Sequence, residues 1–141
     1  MKRTEAVERL DAAVVRFYER LSDWEESVAV QVGLTPRQCH AVSALGGSGR
    51  IRMKPLSERL GITTGTLTIM ADRLQNLDMV QRVEDPTDRR ASNIELTPRG
   101  QEVYRQHKRH HVQLVGELLS TLSDEEAEAF IPLLEKMLRV L

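Results

Sequence analysis

Three of the four histidines are of a type and spacing that could hold a metal. His107 and His111 are four residues apart and so share a helix face, while His40 lies on a second predicted helix. Neutral imidazoles joined by a carboxylate from Asp23, Glu25 or Glu26 would complete a tetrahedral zinc site. The run Arg105, His107, Lys108, Arg109, His110 and His111 reads equally as a polar helix face that meets water, DNA or a partner. Cys39 stands beside Arg37 and His40, whose positive charge could lower its pKa and make it an oxidant sensor; a buried, inert thiol is the other reading. Apart from the metal candidate, no spacing supplies a nucleophile with its base or a paired-carboxylate cleft, so an enzyme is not expected.

A second set of residues suits a nucleic acid. Thr64, Gly65, Thr66 and Thr68 fall in the first turns of a predicted helix, where threonine can donate, accept and touch a thymine methyl. Gly65 removes a side chain where a backbone could near phosphate. Arg89 and Arg90 fall at the tip of a predicted hairpin, a basic finger suited to a narrow minor groove.

The charge distribution agrees. The chain of 141 residues has a net charge of −1, yet residues 1–49 carry 6 basic and 7 acidic groups, residues 50–109 carry 12 and 8, and residues 110–141 carry 2 and 6. A positive middle between neutral and acidic ends is expected when one part of a fold meets phosphate. With a single cysteine no internal disulfide can form, and Glu5, Glu8 and Asp11 occupy the place of an export signal's apolar core. A cytoplasmic location is therefore expected.

The elements that must position these residues follow from periodicity. Val7, Leu10, Val14, Phe17, Leu21, Trp24 and Val28 alternate spacings of three and four, the seam of one long helix. Thr35, Pro36 and Gln38 cap a second helix expected to run to about Leu45, where Gly46, Gly47, Ser48 and Gly49 end it. That glycine cluster follows a helix and lacks the Gly-Lys-Ser/Thr ending of a phosphate-cradling loop. A short helix is expected from Pro55 to Leu60, closed by Gly61. Thr63 or Thr64 caps the next, with Leu67, Met70, Leu74 and Leu77 on one face and Thr66, Thr68, Ile69 and Arg73 left toward solvent or a ligand. Met79 to Glu84 and Ala91 to Leu96 read as strands around the turn residues Asp85 to Asp88. Thr97 and Pro98 open a helix through Val103, His107, His111, Leu114 and Leu118, and Ser123 with Glu126 caps a last one, in which Pro132 should introduce a bend.

Helix, helix, tight turn, helix and basic hairpin is the order of a winged helix-turn-helix, so the fold class expected is mainly α with a small β-hairpin wing. Several motifs carry a resemblance to a known family: Leu34-Thr35-Pro36-Arg37-Gln38; Leu56-Ser57-Glu58-Arg59-Leu60-Gly61-Ile62; Thr66-Leu67-Thr68 to Asp72-Arg73-Leu74; the wing Asp85-Pro86-Thr87-Asp88-Arg89-Arg90; and Leu96-Thr97-Pro98-Arg99-Gly100. Together they resemble the MarR family of bacterial transcriptional regulators over nearly the whole chain. The resemblance implies one domain over residues 1–141, with dimerisation helices in 1–33 and 98–141 and a DNA-binding unit in 34–97, its helix-turn-helix at about 55–78 and its wing at about 79–96. It implies that Thr63, Thr64, Gly65, Thr66, Thr68, Ile69 and Arg73 face DNA, that Asp88 orients Arg90 toward the minor groove, and that Arg89 meets phosphate. Ile69 stands where the family often has a basic residue, and Asp78 where it usually has a helix-ending glycine.

The end helices carry long apolar seams with no evident cover in so short a chain, so a homodimer on a pseudo-palindromic operator is expected. The histidine positions resemble the ligands of zinc-responsive members of the family, which also use a first-helix glutamate; Ser22 falls nearest to it here, and Cys39 and Gln106 replace the acids of a second metal site. Zinc or a small aromatic effector bound near Trp24 are the modulators considered. The alternative to DNA binding is a helical protein-interaction module.

Overall fold

The computed structural model describes all 141 residues, which divide into two compact units, residues 1–107 and 108–141. The element order is α1 (Arg3–Gln31), α2 (Pro36–Ser48), β1 (Ile51–Arg52), α3 (Met53–Leu60), α4 (Thr64–Asn76), β2 (Val80–Glu84), β3 (Ser92–Leu96), α5 (Pro98–Leu119) and α6 (Asp124–Leu138). No helix is long and apolar enough to cross a membrane.

In the first unit one core joins the helices to the sheet. Ala29 of α1, Val42 and Leu45 of α2, Leu56 of α3, Leu67, Ala71 and Leu74 of α4, and Ile94 and Leu96 of β3 are all buried in it. The buried positions of α4 are spaced four and three apart, which fixes one face inward and the opposite face outward. The three strands are antiparallel in the order β1-β3-β2, with Val80 opposite Leu96 and Glu84 opposite Ser92. The first half of α1 contributes nothing to this core: Val7, Leu10, Val14 and Phe17 remain exposed.

In the second unit α6 starts at a complete capping box, in which the Ser123 hydroxyl accepts from the Glu126 amide and the Glu126 carboxylate accepts from the Ser123 amide. The helix continues past Pro132 to Leu138 and has no buried residue. Phe130, Ile131, Leu134, Met137 and Leu138 are exposed along it.

Several boundaries differ from those the sequence predicts. Helix α2 does not stop at Leu45 but runs through Gly46 and Gly47 to Ser48, and Gly49 ends it at φ 69°. A Cβ at position 46 would overlap the ring of Tyr104, so that glycine serves close packing rather than termination. Helix α3 starts at Met53, two residues before Pro55, because proline is tolerated in a first helical turn. Strand β1, two residues long, gives no periodic signal, and β2 and β3 each begin one residue later than expected.

The end of α4, the sheet and the start of α5 meet at four residues. Asp78 takes the left-handed conformation usual for glycine, φ 58°, while the Met79 amide bonds Leu74 O at 2.9 Å and the Asp78 amide bonds Gln75 O at 3.0 Å. This is a Schellman ending that aspartate, like asparagine, tolerates. Thr97 then fastens α5 to that turn: its amide donates to Met79 O at 3.0 Å, its hydroxyl donates to Asp78 O, and its Oγ1 accepts from the Gly100 amide at 3.0 Å. Gly100 lies so close to the Met79 carbonyl that a Cβ there would overlap it. Gly100→Ala should accordingly destabilise the protein by at least about 2 kcal/mol, because backbone rather than a flexible side chain must move. Chemical denaturation checks this, and an unchanged midpoint would refute the close contact.

Candidate nucleic-acid interface

The start of α4 is built by its own threonines. Thr63 Oγ1 accepts from the Thr66 amide at 3.1 Å and donates to Thr66 Oγ1 at 2.9 Å, and the Thr68 hydroxyl donates to Thr64 O at 2.9 Å. All of Thr63, Thr64, Gly65, Thr66, Thr68, Ile69 and Arg73 are exposed, so the structure gathers every residue predicted for this helix on its outer surface. With Leu67, Ala71 and Leu74 inward, the outermost stripe is Gly65, Ile69 and Arg73, each four residues from the next.

Gly65 has no structural requirement within the chain. Its φ is not positive, and a Cβ there would meet only Thr63 Oγ1, at 3.9 Å. Glycine in an exposed helix costs about 0.5–1 kcal/mol relative to alanine, and no contact within the chain offsets that cost here.

The wing is fixed by Asp85. Its Oδ1 accepts from the Thr87 amide at 2.9 Å, the Thr87 hydroxyl at 2.8 Å and the Asp88 amide at 3.1 Å, and its Oδ2 accepts from the Arg52 guanidinium at 2.9 Å and from Asn93 Nδ2 at 3.3 Å. These donors, the Thr87 amide foremost, hold the Asp85 carboxyl well below the usual carboxylate range, so it stays ionised and its ties survive to pH values at which ordinary aspartates protonate. Asp88 Oδ1 accepts from the Arg90 main-chain amide at 2.9 Å; it fixes the backbone that carries Arg90 and leaves Arg89 and Arg90 exposed at the tip. Arg82 of β2 bonds Asp72 of α4 at 2.6 Å and so ties wing to helix.

Arg52, Asp72, Arg82 and Asp85 escape the sequence reading as positioning residues, because their partners lie 10 to 33 residues away or in a turn. The one local signal is Asp85-Pro86-Thr87, an aspartate placed to cap its own turn.

Within the first unit, the metal candidates His40 and His107 have different partners. His40 Nε2 lies 3.4 Å from Glu25 Oε1 and is half exposed, whereas the buried His107 places Nδ1 3.2 Å from Ser43 Oγ. His111 falls in the second unit, and Asp23 and Glu26 are exposed. No three His, Cys, Asp or Glu side chains come together at a site fit for a metal ion. The lowered pKa considered for Cys39 is likewise corrected: burial, reinforced by Glu25, pushes its thiol up to about 11, away from the reactive thiolate. Beside the α4 surface, an open cleft of about 580 Å³ runs between Thr35, Pro36 and Arg37 of α2 and Thr66, Ile69 and Arg73 of α4.

Comparison with known proteins agrees with this geometry. The sequence model of the MarR family matches residues 32–91. The multiple antibiotic resistance protein MarR of Salmonella typhimurium is 31% identical over 106 residues, which cover 74% of each chain. This chain belongs to the MarR family. Membership makes it a DNA-binding regulator of transcription and not an enzyme. The transcriptional regulator MhqR of Bacillus subtilis is 24% identical over 134 residues, covering 95% of this chain and 92% of that protein. The solved structure of Streptococcus pneumoniae FabT in complex with DNA shares the fold with a TM-score of 0.87 at 22% identity, over 95% of this chain and 96% of that one.

For this MarR-family chain, Gly65→Ala should act in opposite directions on fold and binding. It should raise stability by about 0.5 kcal/mol or more and weaken duplex binding, since the added methyl meets only Thr63 Oγ1 within the chain, at an ordinary contact distance of 3.9 Å, and otherwise projects outward. Thermal unfolding with fluorescence anisotropy on a duplex checks both signs; a variant that binds as tightly as the parent would remove Gly65 from the interface.

Proposed function

We propose that the protein is a cytoplasmic repressor that occupies a pseudo-palindromic operator as a homodimer and leaves it when an effector binds. The observation that carries this reading is the joint exposure of the α4 stripe and the Arg89–Arg90 tip, held in one arrangement by the Asp72–Arg82 and Arg52–Asp85 ion pairs. In this reading α4 enters a major groove and the tip reaches the adjacent minor groove, with Arg90 inserted and Arg89 on phosphate. The exposed apolar stripes of α1 and α6 supply the dimer interface, in residues 1–33 and 98–141, and the DNA-binding unit is 34–97. Two copies related by a twofold axis then present two α4 helices to successive major grooves.

The effector this arrangement supports best is a small anion. Arg37 and Arg73 line the cleft between α2 and α4, and an occupant would cover Thr66, Ile69 and Arg73, which the operator also needs. Binding of one therefore excludes the other, which gives release without a large structural change.

Arg90→Ala should weaken operator binding by at least about 1 kcal/mol, chiefly at A·T-rich flanks, and leave the circular dichroism spectrum unchanged, because the side chain touches no core residue. Electrophoretic mobility shift at constant salt decides it. Equal affinity of variant and parent would remove the wing from the interface.

A further inference from the structure

The exposed face of α4 has an unusual chemistry for a groove-reading helix. Its central residue, Ile69, is 58% exposed, and no arginine, lysine, asparagine or glutamine occurs between Thr63 and Ala71. Those four side chains are the ones that make bidentate bonds to guanine or adenine edges. The first two turns of α4 therefore have nothing that could grip a base pair in that way.

The hydroxyls narrow the choice further. Thr63 and Thr68 donate their protons inside the helix, to Thr66 Oγ1 and to Thr64 O, so toward a groove they offer methyl groups and oxygen lone pairs. Thr68 and Ile69 are adjacent and both exposed. An isoleucine left in water at the centre of this face, with Gly65 one turn before it, calls for an apolar partner that can come close to the backbone. In the major groove the one apolar group on any base edge of unmodified DNA is the C5 methyl of thymine. The adenine opposite it shows an N6 donor, which suits the spare lone pairs of the threonines.

We infer that Ile69, supported by Thr68, reads thymine methyl groups in the operator's major groove, so that sequence choice by α4 is made by apolar contact and not by bidentate hydrogen bonds. This rests on the DNA-binding reading above and adds which atoms of the bases are read. Arg73, one turn beyond Ile69 and exposed, is then left for the phosphate backbone.

The test uses the full-length protein and a duplex it selects from a random pool. That duplex is resynthesised with uracil in place of thymine, which deletes the C5 methyl and leaves the hydrogen-bonding edges of both grooves unchanged. Each lost methyl contact should weaken binding about fourfold, and one contact in each of two half-sites about fifteenfold. Ile69→Ala should bind the thymine duplex as weakly as the parent binds the uracil duplex, and should no longer distinguish the two. Equal binding of thymine and uracil duplexes by the parent overturns methyl reading while leaving DNA binding intact. Continued discrimination by Ile69→Ala overturns the assignment to Ile69. Failure to select any duplex overturns the DNA-binding reading itself, and the inference with it.

Discussion

The contact between Gly100 and the Met79 carbonyl constrains the α4 and wing side of the first unit. The turn at Leu77, Asp78 and Met79 ends α4 and begins β2, and Thr97 ends β3 and begins α5. Because residue 100 has no side chain, the first turn of α5 can lie directly on that backbone, where Thr97 bonds both Asp78 O and Met79 O. Helix α4, both wing strands and the start of α5 thus share one fixed point. A Cβ there would displace the Met79 backbone between α4 and β2 and press on the Leu96 side chain of β3.

From that point outward, charged side chains set direction where the core cannot. The wing strands are too short to fix their own tip, and Asp85 does so by collecting the amides of Thr87 and Asp88, the Arg52 guanidinium and Asn93 on one carboxylate. Asp72 and Arg82 repeat the device between α4 and β2. An exposed ion pair such as Arg82–Asp72 adds little to global stability, but it ties two exposed elements to each other. In the proposed reading, such preorganisation lets α4 and the wing tip meet two grooves at once. The same pairing consumes Arg52 and Arg82 and leaves Arg73, Arg89 and Arg90 for the outside.

The order of elements and most of the candidate interface were legible in the sequence, because helix caps, turn residues and apolar spacing are local. Thr35 and Gln38, Thr63, and Ser123 and Glu126 form the caps their spacing implies. The misread points share a cause in distant neighbours. Gly46 looks like a helix stop until Tyr104 is seen against it, and strand β1 exists only because β3 lies beside it. The histidines show the converse: spacing puts His107 and His111 on one helix face, but the fold sets Ser43 against His107 and Glu25 against His40, partners that lie 64 and 15 residues away in the chain. Cys39 beside Arg37 suggests an activated thiol in one dimension and is a buried core residue in three.

The central claim is that this surface holds a duplex through phosphate contacts and selects among sequences. Fluorescence anisotropy of a selected operator duplex and of a random duplex, each over a salt series, tests it most directly. The logarithm of the binding constant should fall linearly with the logarithm of salt concentration for both, with the operator bound about a thousandfold or more tightly than the random duplex. Affinity that does not change with salt, or that is the same for the two duplexes, would contradict it.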